Sequence, residues 1–353
     1  MRKKIFALLL ACALVITMFT GCAGNPAPAE PGKPDASQAP TSENPLVLQL
    51  SHVFSKGTPM DLSVVQAAEN IEKRTNGAIK IQISSNGTLP NGVDGFEQCV
   101  RGANFINLYD PSAMADWVPD YVALMGPFLV DTREEFKLLC ESDTVKEMNK
   151  KAEEKNLKVL ALPFNFGFRH ISSGKVKVQS PADLKGIKFR VPGSQVFIKT
   201  FEALGANPIT TPSSEVYNAI QTGLADANES SLADLAQMQM QEVVKYITLS
   251  GHFIGTSSAV MSLEVFNKLT EEQQNILIEE FQNAAEVCSE MYIEKEKEAR
   301  KVFEDAGVEF VENIDKEPFK ELTKVVYTQE VFPNLPPGIY EKLQEELAKI
   351  RAK

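Results

Sequence analysis

Hydrophobic and polar positions along the chain follow two rhythms in turn, one of period two and one close to 3.6. Leu46, Leu48 and Leu50 alternate with Val47, Gln49 and Ser51, which predicts a strand over residues 46–53. Thr58, Pro59 and Asp61 then supply an N-cap, a first-turn proline and a near capping box. Behind them Met60, Val64, Ala67, Ala68 and Ile71 keep helical spacing until Gly77 offers a stop. Ile79, Ile81 and Ile83 return to period two. The crossover is long enough for the two strands to pair in parallel.

The unit repeats between residues 180 and 228. Ser180, Pro181 and Asp183 cap a short turn closed by Gly186, after which Ile187, Phe189 and Val191 point one way and Lys188 and Arg190 the other. Pro192 ends that strand. A helix over 194–204 stops at Gly205, a strand over 206–211 at Pro212, and a helix over 214–222 at Gly223; 224–228 reads as strand again. Such a β-α-β-α-β run predicts an α/β fold. In open parallel sheets ligands collect outside the carboxyl ends of the strands, where helix N-termini present free amides, so Arg190, Ser213 and Asn228 are expected on one rim. Residues 104–108, 159–162 and 308–311 also read as strands, and 340–350 as a closing helix. From Thr270 to Asp305 neither proline nor glycine interrupts an apolar stripe through Ile276, Phe281, Ala284, Cys288 and Phe303. Either a single helix of about 50 Å braces two lobes, or two helices meet near the charged stretch 294–298.

The ends carry signals of a different kind. Arg2, Lys3 and Lys4 precede an apolar run that closes at Gly21 and Cys22, the layout of a secretory signal peptide. That run is about 16 residues, short of the roughly 20 that span a bilayer as a helix. Phe-Thr-Gly-Cys at 19–22 resembles the bacterial lipobox, although Phe19 departs from the commoner leucine; ordinary cleavage beside an incidental cysteine is the alternative. Residues 22–45 are polar and rich in proline, suited to a flexible tether. The expectation is a leader over 1–21, a lipidated Cys22 with its tether, and an exported monomer held on the outer face of the cell membrane by lipid alone, or free in the periplasm.

Composition narrows the partners. The chain has 36 basic and 47 acidic side chains among 353 residues, a net charge of −11, which becomes −14 once Arg2, Lys3 and Lys4 leave with the leader. A negative body disfavours nucleic acid and anionic membrane surfaces. Cys99, Cys140 and Cys288 form an odd, widely spaced set that argues against a disulfide framework and for buried thiols. Residues 45–353 are long for one core and comfortable for two.

Signatures of catalysis, of a cofactor or of a metal are absent: there is no P-loop, no G-x-S-x-G and no H-E-x-x-H, and His52, His170 and His252 lie far apart in sequence. A hydrolase built on Ser257 or Ser258 with His252 would lack an evident orienting acid. Arg169 is more telling, because it follows Phe164, Phe166 and Phe168. Its five donors need an anion or carbonyls if it is buried; otherwise it lies exposed against Phe168. Arg190 is likewise either a cleft group or a surface strand residue.

PADLKGIKFRVPG at 181–193, LGANP at 204–208, SEVYNAIQTG at 214–223, then Asp226 and Glu229, with SHV at 51–53 and GFRH at 167–170, make the chain resemble the solute receptors of tripartite ATP-independent periplasmic (TRAP) transporters. The likeness covers nearly all of the chain beyond the tether. It implies a two-lobed, periplasmic-binding-protein-like α/β fold with hinge strands and a long helix spanning both lobes. Lobe I would hold 46–166 and about 254–292, and lobe II 167–253 and about 293–353. It also implies a receptor that binds a small organic acid anion between the lobes and delivers it, unchanged, to ion-driven membrane subunits. By the same matching Arg190 would grip a carboxylate with both arms of its guanidinium, and Arg169 would be a second basic group beside it. Tyr109 and Asp110 would meet the far end of the ligand, and the matched segments bring His52 and Glu229 into the candidate site. Two departures matter: Ser213 stands where many members have an aromatic residue, and Ser230 where many have asparagine. Both make the pocket roomier and more polar, favouring a hydroxylated acid such as a sugar acid. A ligand-binding lipoprotein that serves a sensor would share all of these features.

Overall fold

The computed structural model describes residues 39–352, so the leader, Cys22 and most of the tether lie outside the described residues. Nine strands form one sheet: β1 (Leu46–His52), β2 (Ile79–Ser84), β3 (Phe105–Tyr109), β4 (Leu157–Ser173), β5 (Lys188–Val191), β6 (Asn207–Thr210), β7 (Ala227–Ser230), β8 (Tyr246–Ser262) and β9 (Glu309–Val311). Their order is β2-β1-β3-β8-β4-β7-β5-β6, with β9 against β8.

Sequence alternation placed the first unit well. Thr58 caps the helix Pro59–Arg74 by accepting the Asp61 N–H at 3.4 Å, and β1 pairs with β2 in parallel from Leu46 opposite Ile79 onward. The second unit holds too, with β5, β6 and β7 parallel and the helix Gln195–Ala203 between β5 and β6. One strand was misplaced. β7 begins at Ala227, because Leu224 is exposed in the preceding turn and Ala227–Ser230 are all buried.

Register explains where a site can form. The trio β2-β1-β3 is parallel, as is the trio β7-β5-β6, and antiparallel β8 and β4 lie between them. β3 ends with Tyr109 opposite Ser258, and β7 ends with Ser230 opposite His170. Each trio therefore points its carboxyl ends at the middle of the two crossing strands. The strands β4 and β8, 17 residues each, run past both trios.

The crossing is irregular, with shifts of register between Asn165 and Gly167 and between Arg169 and Ile171. Two glycines make it possible. Gly167 has φ +102°, outside the range of other residues, and a Cβ on Gly255 would lie 2.4 Å from the Phe166 ring and 2.6 Å from the Gly167 carbonyl oxygen.

The helix Glu271–Asp305 is continuous over 35 residues, so the reading with a break near 294 falls. Its charged stretch is covered by pairs such as Lys297 with Glu294 at 2.8 Å, and by Glu296 with Arg133 of the helix Arg133–Cys140. Its first half packs Ile276, Phe281 and Tyr292 into a core with Leu48, Ile71 and Ile106, whereas Ala299 and Phe303 pack with Val216, Leu235 and Ile247. One helix thus stiffens two cores. Cys99, Cys140 and Cys288 are buried and unbridged. Among the described residues, no helix is long and apolar enough to cross a membrane.

Candidate functional site

At the carboxyl ends of both trios lies a cavity of about 440 Å³. Val53, Phe54, Ser55 and Thr58 follow β1, Asn86 follows β2, and Tyr109 and Asp110 close β3. Opposite them stand Arg190 and Pro192 at the end of β5, Ser213, Ser214 and Tyr217 after β6, Ser230 at the end of β7 and Asp234 after it. The crossing strands supply Phe166, Arg169, Thr256 and Ser257 as the floor. Alternation on the short strand Lys188–Val191 left the placement of Arg190 open; the structure buries it, 6 % exposed, against the cavity.

Arg190 donates from Nη2 to the Thr211 carbonyl oxygen at 2.6 Å, but its Nε is buried without a partner. Among the described residues no carboxylate forms an ion pair with it. Burial pulls its pKa down to about 10, with Glu229 and Tyr109 opposing that fall. A buried guanidinium in this condition is an incomplete site for an anion, and its fork matches the two oxygens of a carboxylate.

Arg169 is different. It is buried, not exposed against Phe168, and its guanidinium lies 5.1 Å from the Phe197 ring and 5.7 Å from that of Phe166. Nη2 donates to Glu229 Oε1 at 2.6 Å and Nε to Oε2, a bidentate pair inside the protein. Burial works against the charge on both partners, yet the pairing holds the Arg169 pKa above and the Glu229 carboxyl below their ordinary values. Arg169 lines the cavity with its counter-charge already bound.

Glu229 itself faces Arg169 and is absent from the cavity wall. His52, also fully buried, has its Nε2 3.3 Å from Asp61 Oδ1 and likewise does not line the cavity. Both were expected in the site; each is turned toward an internal partner behind it. Asn228, expected on the rim, is buried beneath it, its Oδ1 accepting the Ser172 hydroxyl at 2.6 Å. Ser213, Ser230, Tyr109 and Asp110 are on the wall as read from the sequence. The aromatic wall that Ser213 was expected to lack is supplied from elsewhere, by Tyr217, Phe54 and Phe197.

Asp234 was missed. It sits three residues after Ser231, whose hydroxyl accepts the Asp234 N–H at 3.2 Å, so the spacing reads as a helix cap and hides the side chain's place on the wall. His252 meets Ser250 at 2.8 Å and Glu229 at 3.6 Å, and Ser258 donates to the Tyr109 carbonyl oxygen, so neither forms a hydrolytic pair. Among the described residues, no group of three or more His, Cys, Asp or Glu is arranged to hold a metal ion.

The profile of the bacterial extracellular solute-binding protein family 7 matches residues 50–333. A TRAP periplasmic solute-binding protein from Fusobacterium nucleatum, solved with bound sn-glycerol-3-phosphate, is 36 % identical, with a TM-score of 0.83 over 87 % of this chain and 98 % of that one. One from Actinobacillus succinogenes with bound L-galactonate is 28 % identical, with a TM-score of 0.80 over 86 % and 99 % of the two chains. The 2,3-diketo-L-gulonate-binding periplasmic protein of Escherichia coli is 30 % identical over 276 residues, 78 % of this chain and 83 % of that protein. Each of these relatives is a solute-binding protein by name. With the family profile and the two-lobed fold in agreement, the chain belongs to the family 7 solute-binding proteins, the acid-anion receptors of TRAP transport.

Proposed function

We propose that the ligand is a polyhydroxylated acid, anchored by its anionic head on Arg190 and by its hydroxyls on Ser213, Ser230, Tyr109 and Asp110. The observation that carries this reading is the buried guanidinium of Arg190, which faces the cavity with an unpartnered Nε and no carboxylate pair among the described residues. A sugar acid fits first, in keeping with the L-galactonate and diketogulonate of the relatives. A glycerol phosphate is the second reading, favoured by the 36 % identity to the glycerol-3-phosphate receptor and by the paired hydroxyls of Ser213 and Ser214 beside Arg190.

The ligand meets one lobe first, and closure follows because only the closed cleft lets both lobes touch it. We take lobe I as 46–166 with about 254–292, and lobe II as 167–253 with about 293–353. A micromolar receptor needs about −8 kcal/mol, within reach of one bidentate anion pair, several hydroxyl bonds and the exclusion of water. The closed receptor, a monomer tethered through lipid on Cys22 after loss of the leader 1–21, delivers the acid unchanged to the membrane subunits.

Native mass spectrometry of protein purified without refolding, followed by titration calorimetry against aldonates, uronates and glycerol phosphates, tests the reading. It predicts a co-purified hydroxylated acid and micromolar or tighter binding of one panel member. A co-purified neutral sugar or a cation would contradict it.

A further inference from the structure

The cavity is electrically lopsided. Arg190 takes its electrostatic surroundings from Glu229, Tyr109 and Arg169, while Asp110 and Asp234 both stand in the field of Arg169. Arg169 is already closed in a bidentate pair by Glu229, and among the described residues neither aspartate forms an ion pair with a cation. Asp110 Oδ1 accepts the Ser112 N–H at 2.8 Å, and its Oδ2 is buried with no partner. Asp234 is 9 % exposed, and its Oδ1 accepts the Tyr292 hydroxyl of the long helix at 3.1 Å. One comes from the end of β3 and the other from the segment after β7, so each parallel trio contributes one carboxyl to the wall.

We infer that Asp110 and Asp234 act together as a charge filter, admitting acids whose far end carries hydroxyl donors and rejecting acids with a second anionic group there. The inference rests on the reading of Arg190 as the anion anchor. An ionised carboxylate accepts hydrogen bonds and donates none, so hydroxyls satisfy it and another carboxylate does not. With the ligand's head fixed on Arg190, a second anion would meet two like charges where water is largely excluded and screening is weak. Burial raises both carboxyls to about 6, which leaves them mostly ionised in the empty cleft above pH 7. Selection arises here by repulsion as much as by attraction.

Matched ligands that differ only at the far end test the filter. Each aldonate is compared by calorimetry at pH 7.5 with the aldarate in which its terminal CH2OH is a carboxylate, and sn-glycerol-3-phosphate with L-3-phosphoglycerate, which bears the same replacement at the same configuration. For whichever head binds, the oxidised partner is expected to bind at least about 100-fold more weakly. In Asp110→Asn/Asp234→Asn protein, where the amide oxygens can still accept the Ser112 N–H and the Tyr292 hydroxyl, that ratio should shrink to about tenfold or less. Equal binding of both partners to the unaltered protein overturns the filter and leaves the Arg190 reading intact. An unchanged ratio in the double variant overturns the assignment to these two residues. Binding of no member of either pair overturns the Arg190 reading, and the filter with it.

Discussion

Arg169 and Arg190 are both buried and both line one cavity, yet among the described residues Arg169 alone of the two is paired with a carboxylate. Glu229 closes the fork of Arg169. Arg190 meets one carbonyl oxygen and leaves Nε without a partner. One guanidinium is thus closed by an internal carboxylate and the other is not, although the two side chains look alike in sequence.

The largest effect should come from breaking the closed pair. Glu229→Gln leaves Arg169 buried beside a neutral amide and should lower stability by about 3–5 kcal/mol in urea denaturation. A loss below about 1 kcal/mol would show that Glu229 does not hold Arg169. Arg190→Ala should leave the stability of the empty protein within about 1 kcal/mol, since no internal ion pair is lost. Next comes the crossing that carries Arg169: Gly255→Ala forces a Cβ against the Gly167 carbonyl and should cost about 1–3 kcal/mol, read as a lower melting temperature.

Acidity sharpens the contrast further. Asp110 and Asp234 have folded pKa values raised to about 6 from 3.8 by burial. Their protonated forms favour the fold, so this contribution is fully present below about pH 4 and is lost as pH rises through 6. Asp110→Asn should consequently raise the stability of the empty protein by about 1–2 kcal/mol at pH 7.5 and leave it nearly unchanged at pH 4. A pH-independent effect would contradict this. The smallest effect concerns Asp61, which accepts the Gly57 N–H at 2.7 Å and the Ser85 hydroxyl at 2.6 Å, tying together two loops of the wall. Asp61→Asn should weaken ligand binding by about 3- to 10-fold, measured by calorimetry.

Much of this was readable before any coordinates. β1, β2 and β5 alternate in sequence, and the helix after β1 carries a Thr58 cap, so the period-two rhythm and the local stops were enough to place them. β4 and β8 resisted that reading. They are buried on both faces, their register slips at the bulges, and β8 buries polar residues such as Ser250, Thr256 and Ser258 where an apolar run would be expected. Arg190 and Ser213 were legible through the matched segments. The partition of charge between Arg169 and Glu229 was not, since it depends on β4 and β7 pairing across 60 positions of sequence. The same holds for Asp234, whose local role as a helix-cap partner masks a place on the wall that only the tertiary fold creates. His52 stood out by sequence and proved to face Asp61.

The most direct test is calorimetry of Arg190→Ala with the acid found for the unaltered protein, alongside circular dichroism of both. Loss of the two charge-assisted bonds should raise Kd by at least about 100-fold while the spectrum and melting temperature of the empty protein stay the same. Retention of affinity within about threefold would mean that the anion is held elsewhere in the cleft.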